Sequence, residues 1–247
     1  YNGDGVIENK EEAIRYFKGA AGNGHLEAMH DYAMILFQGL GMHNDLKEAL
    51  HLFKTSALQG FVPSMFDYGM VLYQGLGIPP DKKEGVRYFK MAAENGDVLS
   101  MKQLISIIES KDVNDNVEVP VDKEEEATYV KIIADDGDIN FMYKFALKCQ
   151  KGDGIPVDLE LAAKYYKKAA DNGHLQAMHE YAEMIERGDG IEMDKAEAIK
   201  TFKEAADRGH IQSMYDYAIR CYNGSEGVPK DLKEAAKYFK LAADHGD

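Results

Sequence analysis

"NGHLEAMHDYAMILFQGLG", residues 23–41, gathers two histidines, an acid, methionines and a glycine loop into one short stretch, a composition suited to an active site. The string returns as "NGHLQAMHEYAEMIERGDG" at residues 172–190, with its pieces in the same places. A catalytic constellation is rarely used twice in one chain, whereas a building unit is. The stretch therefore reads as architecture, and the repeat is established before any site is proposed.

Working outward, Gly24, Gly60, Gly96, Gly137, Gly173, Gly209 and Gly246 align at spacings of 36, 36, 41, 36, 36 and 37 residues. Fifteen residues before each glycine stand Asn9, Asp45, Asp81, Asp122, Asp158, Asp194 and Asp231, whose side-chain oxygens suit the free amides of a first helical turn. Glu12, Glu48, Glu84, Glu125, Glu197 and Glu234 follow three residues later, which predicts a capping box in six units, with Leu161 the exception. Between cap and glycine the apolar residues recur at helical spacing, as in Ala13, Phe17, Ala20 and Ala21, or Ala198, Phe202, Ala205 and Ala206. The closing glycine suits the left-handed C′ position. This is helix B.

After that glycine a second helix, A, carries Met29, Tyr32, Ala33 and Leu36; Met65, Tyr68, Gly69 and Leu72; and Met178, Tyr181, Ala182 and Ile185. Offsets of 0, 3, 4 and 7 make one buried stripe. Helix A ends in a paired-glycine loop: Gly39 and Gly41, Gly75 and Gly77, Gly152 and Gly154, Gly188 and Gly190, then Gly224 and Gly227 with an extra residue. So short a loop makes A and B antiparallel. One such pair cannot bury its own stripes, so stacked neighbours must, which predicts an all-α solenoid of thirteen helices in the order B(A-B)×6.

At this point the units resemble Sel1-like repeats, relatives of the tetratricopeptide repeat. "YAMILFQGLGMHNDLKEALHLFKTSALQG" (residues 32–60) and "YAIRCYNGSEGVPKDLKEAAKYFKLAADHG" (217–246) carry the resemblance, which covers essentially the whole chain. It implies a right-handed α-solenoid of stacked antiparallel helix pairs that acts as a protein–protein adaptor, with helices A lining the concave wall. Residues 1–105 and 122–247 read as regular repeats of one continuous solenoid. Between them, 106–121 ("SIIESKDVNDNVEVPV") lacks the glycines and reads as a longer, irregular loop and a looser joint. Ordinary tetratricopeptide repeats are shorter and lack the loop, and pentatricopeptide repeats read RNA.

The charge excludes further classes. Lys plus Arg number 29 against 43 Asp plus Glu, a net charge of −14 spread along the chain, and such a field repels phosphate backbones. No apolar run approaches the roughly 20 residues that span a bilayer. The first residues, "YNGDGV", carry no leader signature, so the chain reads as a segment of something longer. Its ends lack polar capping repeats, which suits a larger parent or end-to-end self-association.

Each chemically suggestive residue has an architectural reading. His25, His174 and His210 share a slot with Phe61, Asp97 and Asp138, while His30 and His179 alternate with Phe66, Lys102, Tyr143 and Tyr215. Slots that accept phenylalanine do not define a metal site, and "HEYAE" at 179–183 lacks the second histidine of HExxH. No metal or cofactor is expected. Cys149 and Cys221 occupy the register of Leu36, Leu72 and Ile185, so they read as core residues. Two units apart, roughly 20 Å, they are too distant to bridge. Two core-type thiols favour a cytoplasmic setting, and the Asn223-Gly224-Ser225 sequon is of a kind expected by chance. Some bacterial relatives are linked to penicillin binding or β-lactamase activity, but they are rich in cysteine pairs, and no serine here begins an SxxK. The chain is read as no enzyme. Lys18, Lys54, Lys90, Lys131, Lys167, Lys203 and Lys240 recur in helix B and read as outer-face residues lying along the next unit.

The polar side of helix A offers the binding face. Two residues after each leading methionine, about 200° round the helix, stand Asp31, Asp67, Gln103, Lys144, Glu180 and Asp216. The acids Asp31, Asp67, Glu180 and Asp216, with Met34, Met70, Leu147 and Ile219 beside them and Phe66, Tyr143 and Tyr215 near the edge, predict a groove for a basic peptide with apolar anchors. The competing reading is that the acids only answer the helix dipole and the apolar residues pack between helices A.

Overall fold

The computed structural model describes residues 10–40, 45–110, 119–224 and 229–245. Asn9, Gly41, Ser225, Gly227, Gly246 and residues 111–118 of the irregular stretch lie outside them. Thirteen helices and no strand occur among the described residues. In chain order they are α1 (Lys10–Gly22), α2 (Leu26–Gln38), α3 (Leu46–Leu58), α4 (Val62–Gln74), α5 (Lys82–Glu94), α6 (Val98–Glu109), α7 (Lys123–Asp135), α8 (Ile139–Lys151), α9 (Leu159–Asp171), α10 (Leu175–Arg187), α11 (Lys195–Asp207), α12 (Ile211–Asn223) and α13 (Leu232–His245). Odd-numbered helices are B and even-numbered ones A. The chain divides into two compact units, residues 1–120 and 121–247, and in each the helices pack chiefly on their neighbours in chain order. Because α6 runs to Glu109, residues 106–109 are helix and not loop.

The caps show why the helices start where they do. Asp45, Asp81, Asp122, Asp158 and Asp194 each accept the amide three residues on, as does Asp231. The capping box needs correction. The N–H of Asp81, Asp158, Asp194 and Asp231 donates to the carbonyl of Leu72, Cys149, Ile185 and Cys221, respectively, near the end of the preceding helix A. At Asp81, Asp194 and Asp231 tertiary packing thus supplies the acceptor that Glu84, Glu197 and Glu234 were expected to provide. Asp158 caps Leu161 at 2.8 Å although no glutamate stands there. Asp194→Ala is accordingly expected to cost about 1 kcal/mol and Glu197→Ala only a few tenths, read from urea unfolding followed by circular dichroism. Equal losses would restore the glutamate to the cap.

His25, His174 and His210 cap helices A in the same way, through Nδ1, as Asp97 and Asp138 do through carboxylate oxygens. The slot they share is an N-cap, which explains its tolerance of two chemistries. Phe61 makes no side-chain cap bond, and a proline in the first turn of α4 takes part of that burden.

Helix A is buried over a wider arc than its 0, 3, 4, 7 stripe. The preceding position is also enclosed, with Ser64, Ser100 and Ser213 at 0% exposure; Ser64 and Ser213 face the preceding helix A, whose His30 and His179 reach them. Tyr181, expected in the stripe, is only half-buried. In helix B, Ala198, Phe202, Ala205 and Ala206 are all enclosed, whereas Ala13, Phe17 and Ala20 of α1 are half-buried. Lys203 lies along the next unit as expected, reaching Tyr238 and Asp207 at 3.1 Å each. Burial works to raise the Asp207 carboxyl, but the bonds from Tyr238 and Lys203 outweigh it and hold it below its usual range.

Candidate functional site

Helices A carry every residue of the expected groove, in two sets. Unit 1 holds Asp31 and Met34 on α2 with Phe66, Asp67 and Met70 on α4; unit 2 holds Tyr143 and Leu147 on α8, Glu180 on α10, and Tyr215, Asp216 and Ile219 on α12. Neighbouring A helices are joined by a polar staple absent from the expected site. His30 of α2 bonds Ser64 Oγ of α4 at 3.1 Å through Nδ1, and its Nε2 lies 3.6 Å from Asp67. In unit 2, His179 of α10 bonds Ser213 Oγ of α12 at 3.1 Å through Nδ1, and Asp216 lies 3.8 Å from that same nitrogen. The spacing is the same: the serine follows the histidine by 34 residues and the acid by 37. That recurrence was the available signal, overlooked because serine reads as polar surface.

These staples show how far each groove residue is free. All are at least partly accessible. Burial pushes the Asp67 carboxyl up, His30 opposes that, and Asp97 adds to it. Glu180 accepts from Gln176 Nε2 at 2.9 Å. The aromatic residues pack downward: Phe66 lies on Phe89 at 5.9 Å, and Tyr143 stacks on His174 at 4.5 Å with the planes 18° apart. Met34 packs against the cluster around Phe53 and Met65. Met70, Leu147 and Ile219 are partly buried as well.

Serine, histidine and aspartate in contact suggest nucleophilic chemistry, but Ser64 and Ser213 are fully enclosed, so neither hydroxyl can meet a substrate. The thiols are equally unsuited. Burial pushes Cys149 up to about 11 and raises Cys221 too, which keeps both as neutral thiols at physiological pH. A second unexpected group is Lys148 of α8, almost enclosed, which reaches Glu126 at 2.8 Å and Asp153 at 3.0 Å. Both charges are needed there, since an unpaired buried ammonium is costly. No described helix is long and apolar enough to cross a membrane.

The Sel1 repeat profile matches residues 1–25, 26–61, 62–97, 141–174, 175–210 and 211–247, well over half the chain. The chain belongs to the Sel1 repeat family. Members of this family are generally protein–protein interaction scaffolds and are typically non-catalytic. This Sel1 repeat chain is similar in structure to a protective antigen of uropathogenic Escherichia coli that displays this fold: 26% identity, TM-score 0.61, covering 95% of this chain and 49% of that one. It is also similar to a Sel1 repeat protein from Oxalobacter formigenes: 25% identity, TM-score 0.62, 96% and 67% coverage. The Sel1 chain thus spans about half the length of the first and two thirds of the second. No curated protein matches it significantly.

Proposed function

We propose that this Sel1 repeat chain is a non-catalytic scaffold whose helix-A faces hold a basic peptide carrying apolar anchors. One observation carries the reading: in each unit, repeat-register acids sit partly exposed beside accessible aliphatic residues. Asp31, Asp67 and Met70 in unit 1, and Glu180, Asp216, Leu147 and Ile219 in unit 2, are all partly accessible. A net charge of −14 attracts such a peptide over distance, and rigid stacked helices lose little freedom on binding. Tethering through the Asp67 and Asp216 staples and the Gln176–Glu180 bond orients the carboxylates before the peptide arrives.

The test is selection of displayed peptides on the chain, then affinity measurement with Asp31→Asn, Asp67→Asn, Glu180→Gln and Asp216→Asn combined. Selected peptides should be rich in Lys or Arg with spaced apolar residues, and the combined variant should bind at least about tenfold more weakly, the difference shrinking in high salt. Peptides without basic residues, or affinity that survives the variant, would refute the acidic face.

A second reading, self-association, rests on an open apolar depression between α1 and α2 lined by Ala13, Tyr16, Phe17, Ala20, His25 and Ala28. Light scattering across concentrations separates the two, since only self-association makes the mass rise with concentration.

A further inference from the structure

The hydrogen bonds around His179 run in one direction, and that direction leaves one ring nitrogen facing an acid across a gap that takes a cation, either a second ring proton or a metal ion. The chain of donors starts at Glu180, which only accepts. Gln176 Nε2 donates to it at 2.9 Å, so the Gln176 amide oxygen faces His210 Nε2 at 3.0 Å and requires a proton there. His210 Nδ1 then accepts, both from the Ser213 backbone N–H at 3.2 Å and from the Ser213 hydroxyl at 2.8 Å. Ser213 has one hydroxyl proton, now committed, so its oxygen accepts from His179, 3.1 Å away. His179 therefore carries its proton on Nδ1. In the neutral ring Nε2 presents a lone pair to the Glu183 carboxylate at 3.4 Å, acceptor against acceptor, with the ring buried and the carboxylate side chain 33% exposed.

We propose that a divalent first-row metal ion fills this position, bound by His179 Nε2 with carboxylate oxygens of Glu183 and Asp216. One ligand atom from each of the three lies within 4.8 Å of the others. Around a zinc ion with bonds of 2.0–2.2 Å, ligand atoms stand about 3.3 Å apart, so the His179–Glu183 separation already fits, while the Asp216 carboxylate, which lies 3.8 Å from Nδ1, must turn towards Nε2. Imidazole with two carboxylates suits Zn2+ better than Mg2+ or Ca2+. The surroundings complete the site. Ser213 fixes the ring tautomer, and Arg187, 3.1 Å from the other Glu183 oxygen, orients that carboxylate.

Unit 1 supplies an internal contrast. It has the same histidine–serine bond, His30 to Ser64, but its acid, Asp67, faces Nε2 where Asp216 faces Nδ1, Met34 stands at the register position of Glu183 and Phe61 at that of His210. There Ser64 is free of a capping histidine and can donate to His30 Nδ1, which leaves a proton on Nε2 for Asp67. Unit 1 is thus satisfied by the protons of a neutral ring, whereas unit 2 needs one further cation. This departs from the sequence expectation of no metal: a slot shared with phenylalanine is no ligand in general, yet it becomes one in the repeat that brings the other two.

The experiment is calorimetric titration of Zn2+ into the chelator-treated chain near neutral pH, with native mass spectrometry counting ions. Wild type should bind one ion saturably. Glu183→Gln should weaken that binding at least about tenfold, while His30→Gln leaves it unchanged. Met34→Glu should add a second ion, a gain that a folding defect cannot mimic. A wild-type chain with no saturable site, or with affinity indifferent to Glu183→Gln, overturns the proposal. So does a His179 ring protonated on both nitrogens in zinc-saturated protein by nitrogen-15 NMR.

Discussion

Gly190→Ala is expected to destabilise the chain by roughly 3 kcal/mol and to lower its thermal midpoint by about 10 °C. Gly190, the second glycine of the loop after α10, has φ +68°, a conformation that L side chains resist. A Cβ there would also stand 2.2 Å from Leu159 C and 2.4 Å from Glu160 N, at the start of α9 in the preceding repeat. Those are backbone atoms of a capped helical turn, so no side chain can rotate away, and the repeats must move apart. Gly209 separates the two contributions. Its φ is +99° but nothing lies within 4 Å of its Cβ position, so Gly209→Ala should cost only the conformational part, about 1–2 kcal/mol. Thermal unfolding of both variants decides the matter: similar midpoints would mean that close approach between repeats contributes little.

Phe202→Ala is expected to cost about 3–5 kcal/mol. Phe202 on α11 is fully enclosed in a cluster with Ile199, Met214, Tyr217 and Tyr238. The His179 ring meets it edge-on at 5.4 Å, and the Arg220 guanidinium sits 4.2 Å above it, held there by Glu186. Truncation opens a cavity that the flanking helices cannot collapse, because each is also packed against another neighbour. Phe17 occupies the same register in α1 but is only half-buried, so Phe17→Ala should cost about half as much or less. Urea midpoints at constant slope measure both. Equal losses would contradict the dependence of each repeat on the one before it. Phe202→Ala should also loosen His179, and with it zinc binding.

The family was legible because its marks are local or strictly periodic. A cap aspartate meets its amide three residues away, a terminal glycine answers to its own φ, and the stripe of Met178, Ala182 and Ile185 follows from helical pitch. The binding face was legible as a pattern, since Asp31, Asp67, Glu180 and Asp216 share one register, though which of them are tethered was not.

Partnership across repeats was decided by tertiary structure. The Asp194 N–H finds the Ile185 carbonyl and not a glutamate, Ser213 is enclosed though polar, and Glu183 belongs with His179 and Asp216. Sequence alone determined where each helix starts, stops and turns its apolar side, because those choices are settled by atoms within about one turn. Only the stacked structure determined which way the protons run from His179 to Glu180, because a hydrogen bond needs atoms about 3 Å apart, and side chains 34 residues apart in sequence reach that distance only through packing.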